Sequence, residues 1–216
     1  MAIDVPLGKD LRLEFEILEH TGAVLRCRYV AENLTGSGLY LFNRLYHDLR
    51  DDGVFDVDSD LVYVDVEDSV LHLSKRIPEL PENVLAEVLI VPCVTALAGG
   101  SATVESFSLS LPPQRMNPYL SHLSTPVERF DAVAFSLGYC RASELGSTRV
   151  ETVRSIAGPA LHVDFTAEQQ LLVRTAPVTL AAASARVRKR CPRCGASSSP
   201  GSLFCSQCGA PLQAGH

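Results

Sequence analysis

The fold class is decided by the stretch Val133-Ala-Phe-Ser-Leu-Gly-Tyr139, in which large apolar residues stand at every second position. Small residues fill the positions between them. Side chains of a β-strand alternate between two faces, so this pattern predicts a strand with one buried face. Strands of this kind are typical of antiparallel sheets that pack one face against a core.

The same kind of pattern recurs through the first 178 residues. Six further stretches are predicted to form strands: 11–17, 25–29, 62–66, 106–111, 161–165 and 171–178. Glycine-containing turn signals separate them, for example at Gly53 and Gly158. We therefore predict a mainly β protein, an antiparallel β-sandwich whose architecture is compatible with an immunoglobulin-like one. The chain has no Trp, which a true immunoglobulin domain would carry in its core.

Helix signals are few, and they suggest where the chain divides. The capping-box patterns at 125–128 and 166–169 precede strand-like sequence, so each allows one helical turn at most. Residues 180–190 are rich in Ala and end in basic residues, which favours a short helical or semi-flexible linker. We predict a β-sandwich domain at 1–179, this linker at 180–190 and a small C-terminal unit at 191–216.

The composition excludes a membrane-spanning or disordered chain. Of the 216 residues, 46% are hydrophobic and 20% are charged, as in a globular protein. No apolar run reaches the ~18 residues that a membrane-spanning helix needs. The first residues include Asp4, Lys9 and Asp10 and lack the apolar core of a secretory signal. We expect a soluble cytoplasmic protein with no membrane association.

The net charge of −6 conceals two oppositely charged parts. Residues 1–185 carry 14 basic and 25 acidic side chains, whereas residues 186–216 carry five basic and none acidic. Within the acidic part, segment 48–68 holds nine carboxylates against Arg50 alone. This asymmetry indicates two surfaces with different partners, or two surfaces that meet each other. One hypothesis is that the basic tail docks on segment 48–68 of the same chain.

Four of the seven cysteines lie close together near the end of the sequence. Cys191, Cys194, Cys205 and Cys208 form the pattern C-x2-C-x10-C-x2-C. A two-residue gap lets two thiolates of one tight turn reach the same ion, and two such turns complete a tetrahedral all-sulfur site. The spacing predicts one structural Zn²⁺ ion held by these four residues.

The segments Cys191-Pro-Arg-Cys-Gly195 and Phe204-Cys-Ser-Gln-Cys-Gly209 resemble the knuckles of the bacterial zinc-ribbon family. The resemblance covers residues 191–212. It implies a structural zinc and a role in protein or nucleic-acid contact. It does not imply catalysis, because four thiolates leave the metal no open coordination position.

The remaining sequence offers little that suggests an enzyme. It has no H-E-x-x-H, G-x-S-x-G or P-loop motif. The neighbours His47 and Asp48 are interpreted as a polar pair at a strand end. Cys27 and Cys93 are expected in the core, whereas Cys140, on the face opposite Phe135, could be an exposed thiol. An enzyme would become plausible if a concave pocket gathered two or more of the histidines and acidic residues.

A cation site in the acidic segment is a weak alternative. Asp56, Asp58, Asp60 and Glu67 stand at positions 1, 3, 5 and 12 of an EF-hand-like loop. Leu61 occupies the position that needs Gly, so an EF-hand is not expected. A looser Ca²⁺ site is an alternative, but a charged edge that prevents edge-to-edge strand pairing is favoured.

The five basic residues before and within the ribbon have two interpretations. Arg186, Arg188, Lys189, Arg190 and Arg193 could contact either phosphate groups or an acidic protein surface. The ribbon has one aromatic residue, Phe204, and so lacks stacking platforms for bases. We therefore expect a non-enzymatic protein–protein interaction or adaptor module of a larger bacterial assembly, with nucleic-acid binding as the alternative.

Overall fold

The computed structural model describes residues 9–81, 84–86, 88–145, 150–180, 189–191, 193–194, 197–198, 207–208 and 210. Within them lie sixteen strands and two short 3-10 helices, at Pro118–Leu123 and Ala142–Glu144. The strands are β1 (Leu11–His20), β2 (Val24–Asn33), β3 (Leu39–Arg44), β4 (Tyr46–Leu49), β5 (Val54–Val57), β6 (Tyr63–Glu67), β7 (Val70–Lys75), β8 (Cys93–Leu97), β9 (Ala102–Ser110), β10 (Ala132–Arg141), β11 (Val150–Ser155), β12 (Gly158–Val163), β13 (Leu171–Arg174), β14 (Val178–Thr179), β15 (Lys189–Arg190) and β16 (Ser197–Ser198). The predicted mainly β class is confirmed.

The first sheet is a three-stranded antiparallel sheet in the order β1-β2-β9. Its inner face is apolar at alternate positions, as the sequence pattern predicted. The fully buried members of that face include Leu25, Cys27, Tyr29 and Phe107. The opposite face carries exposed charges, for example the ion pair between Arg12 and Glu32.

The second sheet has the order β4-β5-β11-β12-β8-β3-β10-β7-β6, and β13 and β14 also pair with β10. Most neighbours are antiparallel, but β10 runs parallel to β7 and β11 runs parallel to β5. The two strands at the ends of this order, β4 and β6, both lie in or beside the acidic segment 48–68. Their charged side chains fit the expected charged edge, since charge at an edge discourages pairing with another chain.

The two sheets meet at the ring of Phe135 on β10. Three aromatic rings of the first sheet surround it, one from each strand. The ring centroids of Phe15, Tyr29 and Phe107 lie 5.5, 4.8 and 5.6 Å from that of Phe135. Each such pair adds roughly 0.5–1.5 kcal/mol to the burial of its area. This cluster is the centre of the main core.

A second apolar cluster covers the other face of β10. It contains Phe42, Val163 and Phe165 together with Cys140. The rings of Phe42 and Phe165 stack with centroids 5.7 Å apart. Cys140 is therefore fully buried and is not the exposed thiol that the sequence left open. That possibility assumed one solvated face, whereas β10 is covered on both.

β10 changes its partner at Gly138. Residues 132–137 pair with β7, whereas residues 139–141 pair with β3. A Cβ atom at Gly138 would overlap the Gln170 side chain and lie 2.9 Å from Cβ of Arg76. Gln170 is itself fixed, because its amide accepts a hydrogen bond from Ile77 N at 3.0 Å and donates one to Ile77 O at 2.8 Å. Only glycine fits this crossing without displacement.

The weaker helix signals do not produce helices. Residues 166–169 form a single turn, in which the Gln169 side chain accepts a hydrogen bond from Thr166 N at 3.1 Å. Pro126 instead forms a β-bridge with Gln114. Most of the expected linker, 181–188, lies outside the described residues. In the part of the chain that the structure describes, no helix is long and apolar enough to cross a bilayer.

Candidate metal centre

Three of the four predicted zinc ligands come together in the structure. The sulfur atoms of Cys191, Cys194 and Cys208 all lie within 4.8 Å of one another. The Sγ atoms of Cys191 and Cys208 are 3.5 Å apart. That is far longer than a disulfide bond, and it is near the ~3.8 Å that separates two ligands of a tetrahedral site with ~2.3 Å zinc–sulfur bonds. The fourth predicted ligand, Cys205, lies outside the described residues.

Backbone donors face the buried sulfur of this group. Cys191 is 2% exposed. Burial alone would raise the pKa of its thiol, but the backbone N–H groups of Cys194 and Arg193 and the neighbouring thiols lower it below its ordinary value. N–H groups that stabilise a thiolate are what a zinc ligand needs, since only the thiolate binds the metal. The donor set therefore fits a structural zinc ion.

The chain leading into the metal centre forms a small hairpin. Lys189–Arg190 pairs with Ser197–Ser198, so these two basic residues belong to a strand. Arg193 is exposed. The structure describes neither the side chains of Lys189 and Arg190 nor any part of Arg186 and Arg188. The hypothesis that the basic tail docks on segment 48–68 thus stays a prediction.

The class of site that these three grouped cysteines define is a candidate metal centre. Comparison with known protein families agrees with it: residues 190–212 match the zinc-ribbon domain. This confirms the resemblance predicted from the knuckle sequences. No family matches the residues before that segment. No curated protein and no solved structure matches the chain.

The other three described cysteines have the opposite environment. Cys27, Cys93 and Cys140 are each fully buried. Burial raises the pKa of Cys27 and of Cys140 to about 12 and that of Cys93 to about 11. Thiols of this kind are poor nucleophiles at neutral pH, because the thiolate is the reactive form.

Two of the three aspartates in the EF-hand-like pattern, Asp58 and Asp60, are already engaged in hydrogen bonds. Asp58 accepts a hydrogen bond from Asp60 N at 2.8 Å, and its carboxylate lies 3.0 Å from Nε2 of His47. Burial alone would raise the pKa of Asp58, but these two partners hold it below its ordinary value. Asp60 accepts from Ser108 N at 2.9 Å. The sequence suggested that His47 pairs with its neighbour Asp48. In the structure, His47 pairs with Asp58 instead.

A buried lysine next to this loop supplies the positive charge that the acidic residues face. Lys75 is 1% exposed, and its Nζ donates to the carbonyl of Ser59 at 2.7 Å and lies 3.7 Å from Glu105. Burial lowers the pKa of Lys75, and the carboxylates of Glu105, Asp60 and Asp58 counteract part of that shift. An ammonium group therefore stands where a bound cation would compete for the same oxygens.

Two concave regions each gather a histidine and several acidic side chains, which is the condition under which an enzyme would become plausible. One is an open groove of about 650 Å³ that includes His72, Asp65 and Glu79. The other is a smaller, equally open cleft of about 330 Å³ that includes His47, Asp58, Lys75 and Glu105. These four residues come from β4, β7, β9 and the loop after β5, so no local spacing could have revealed the cleft.

Proposed function

We propose that this protein is a non-enzymatic adaptor that holds a protein partner on its β domain and uses a zinc ribbon as a second contact or assembly element. One observation carries the proposal. Of the nine large apolar side chains exposed among the described residues, four lie within ten positions: Leu80, Leu85, Val88 and Leu89. Exposed apolar side chains concentrated in this way mark protein contact sites.

The position of this segment strengthens the argument. It begins at the open groove, which Leu80 and Pro81 help to line together with Leu172 of β13. Leu85 is fully exposed, and Val88 is 74% exposed. A partner covering both the segment and the groove rim would bury apolar area at roughly 25 cal/mol per Å². The polar rim, which includes Arg76 and Glu79, would add specificity more than affinity.

A non-catalytic role in a reducing compartment is part of the proposal, and a reaction catalysed in either of the two concave regions would contradict it. It is supported by the three buried thiols, whose raised pKa values disfavour a nucleophilic role. Cys27, Cys93 and Cys140 are also free of disulfide bonds, as expected in the cytoplasm.

The decisive experiment compares the proteins that the full chain and its variants retain from a lysate of the native host. The variant Leu85→Ser with Val88→Ser is expected to lose a partner that the unmodified protein retains. The matched control, Leu34→Ser with Val104→Ser, changes two other exposed apolar residues, which are 47% and 57% exposed, and should retain it. Equal capture by both variants would contradict the proposed contact surface.

The alternative function, nucleic-acid binding through the ribbon, has one observation in its favour. Arg193 is exposed beside the metal centre, and Lys189–Arg190 forms a strand of the same small hairpin. About five phosphate contacts would make binding fall steeply with salt. A gel shift over a salt series tests it: no shift at low salt excludes this function. A shift that disappears when the five basic residues are changed to Gln would support it.

A further inference from the structure

Most of the charged side chains in the wall of the open groove neutralise one another. The groove has a volume of about 650 Å³, and its wall carries carboxylate and guanidinium groups in equal number. Arg76 forms an ion pair with Glu79 at 2.6 Å, and Arg115 lies 4.0 Å from Asp65. A ligand in the groove therefore meets little net charge from these four side chains.

The two remaining groups of these kinds have opposite signs and stand on opposite sides of the groove. Glu67 of β6 and Arg174 of β13 are both exposed, and neither forms an ion pair within the described part of the chain. Between their strands lie β7 and β10. Three strand spacings of ~4.8 Å separate β6 from β13, roughly 14 Å across the sheet, so the two groups cannot pair with each other.

The strand register places both groups on the face that forms the floor of the groove. Ser74 of β7 pairs with Tyr63 of β6 on one side and with Ser136 of β10 on the other. Ser136 pairs in turn with Arg174. Glu67 lies four positions after Tyr63 in β6 and so projects from the same face. All five residues line the groove, which therefore crosses the sheet from β13 to β6.

A hydrogen bond holds Arg174 above this floor. Its Nε donates to Oγ of Ser136 at 3.1 Å, and Ser136 is 7% exposed, so a buried hydroxyl anchors an exposed guanidinium group. The two terminal NH2 groups of Arg174 form no hydrogen bond within the described part of the chain. They are accessible from the groove and form the planar fork that fits a carboxylate.

Apolar side chains accompany this guanidinium group. Leu172 precedes Arg174 by two positions, projects from the same face of β13 and is 46% exposed. Leu80, the first residue of the exposed apolar segment, is 40% exposed and lines the same groove. A ligand that reaches both charged groups thus needs an acidic group, a basic group roughly 14 Å away and apolar surface between them. About four residues of extended chain have that length, whereas a free amino acid is too short.

We propose that the groove binds an extended peptide segment of the partner protein, with an acidic side chain on Arg174, a basic side chain four residues away on Glu67, and an apolar side chain between them against Leu80 and Leu172. The proposal rests on the proposed adaptor function and adds the charge pattern that the partner must carry. The two exposed charges select among peptides more than they add affinity, since a single exposed ion pair contributes little.

The test measures binding of acetylated and amidated heptapeptides to the full zinc-loaded chain by calorimetry. The probe is Gly-Glu-Ala-Leu-Ala-Lys-Gly. Its control, Gly-Ala-Glu-Leu-Lys-Ala-Gly, has the same composition but brings the two charges to a spacing of two residues. The probe is expected to bind with a dissociation constant below ~1 mM, and the control at least about threefold more weakly. Equal binding of the two peptides, or no binding of the probe at ~10 mM, would overturn the proposal.

Charge reversal locates the two ends of the peptide. Arg174→Glu should prefer the probe in which Lys replaces Glu, and Glu67→Lys should prefer the probe in which Glu replaces Lys. Because each variant still binds a peptide, an inverted preference cannot result from unfolding. The controls Arg26→Glu and Glu14→Lys reverse exposed charges on the other sheet and should keep the original preference. Unchanged preferences in both groove variants would show that the assignment is wrong.

Partner capture separates this proposal from the adaptor function on which it rests. A partner that is lost by Leu85→Ser with Val88→Ser should also be held more weakly by Arg174→Glu. A partner that is lost by the first variant and fully retained by the second would contradict the groove assignment alone. The predicted peptide preferences without any captured partner would contradict the adaptor function alone.

Discussion

The two regions of this protein use cysteine in opposite ways. In the β domain, Cys27, Cys93 and Cys140 are small apolar side chains, and burial raises the pKa of each thiol. In the ribbon, Cys191 is also buried, yet backbone N–H groups and neighbouring sulfurs lower its pKa. Burial alone therefore does not decide the role of a cysteine. The donors that face the sulfur decide it.

The regions also differ in what holds them together. The β domain has two large apolar clusters on the two faces of β10. Around the described thiols of the ribbon, the buried residues are Cys191 and Ala210. A unit as short as residues 190–212 cannot bury enough apolar area by itself and requires a metal or covalent cross-links for stability. Changes that act on one region and leave the other intact test this difference.

Metal removal should affect only the ribbon. Binding of structural zinc by small domains contributes about 10 kcal/mol or more at neutral pH, so a chelator should unfold the hairpin of β15 and β16. The β domain should keep its urea midpoint. Zinc content and amide hydrogen exchange measure the two effects. Cys191→Ser should mimic the chelator, whereas Cys140→Ala should retain the metal. A β domain that unfolds with the chelator would contradict the separation.

Truncation of the central aromatic ring should affect only the β domain. Phe135→Ala removes the contacts to three rings and should lower the free energy of unfolding by about 3–5 kcal/mol, as measured in urea. Zinc content should not change. The control is Leu172→Ala on the adjacent strand β13, where the side chain is 46% exposed and the cost should be within about 0.5 kcal/mol. Equal losses in the two variants would argue against the central role of Phe135.

The crossing point of β10 should be sensitive to one added methyl group. Gly138→Ala forces Gln170 and Arg76 apart and should cost about 1–3 kcal/mol of stability. Gly22→Ala is the matched control, since a Cβ atom there has nothing within 4 Å. Thermal unfolding of both variants measures the difference. If the two unfold at the same temperature, the close packing at Gly138 is not important for stability.

The buried thiols should make the β domain less stable at high pH. Their pKa values of about 11 to 12 exceed the ~8.5 of a thiol in the unfolded chain. Above about pH 9 the unfolded chain loses protons that the folded chain keeps, so stability falls as the pH rises. Each thiol contributes about 1.4 kcal/mol per pH unit within that window.

Cys140→Ala separates the contribution of one thiol from that of the other groups that lose protons at high pH. The variant should reduce the pH slope between about pH 9 and pH 11 by the share of one thiol, whatever it does to stability at neutral pH. Urea unfolding at several pH values provides the slope. An unchanged slope would mean that Cys140 is accessible to hydroxide in the folded state.

Strands in which large apolar residues alternate with smaller or polar ones could be predicted from the sequence, and others could not. The alternation in β1, β2, β9 and β10 identified each of them. The buried face of β7 ends in Lys75, a charged residue at a core position, so its pattern was not recognised. In β3, three consecutive residues from Leu41 to Asn43 are buried, and this removes the alternation.

The metal centre could be predicted from the sequence, whereas the smaller of the two concave regions could not. The three cysteines that come together, Cys191, Cys194 and Cys208, lie within eighteen positions, and their spacing is typical of a metal site, so their grouping could be predicted. The smaller cleft is lined by Asn43, Lys75 and Glu105, which are far apart in the sequence and meet only because the two sheets pack against each other. Lys75 gave no signal of its own, because a single lysine in a sequence is usually exposed.

The central position of β10 also has a consequence for synthesis on the ribosome. Its partners extend from Leu39 in β3 to Thr179 in β14, so its pairing is complete only after residue 179 has been translated. Until then a strand with nine consecutive buried residues stays incompletely covered. Non-local pairing of this kind folds slowly and exposes apolar surface in the nascent chain. The cysteine pairs follow soon afterwards, so the β domain and the ribbon acquire their final structure at nearly the same stage of translation.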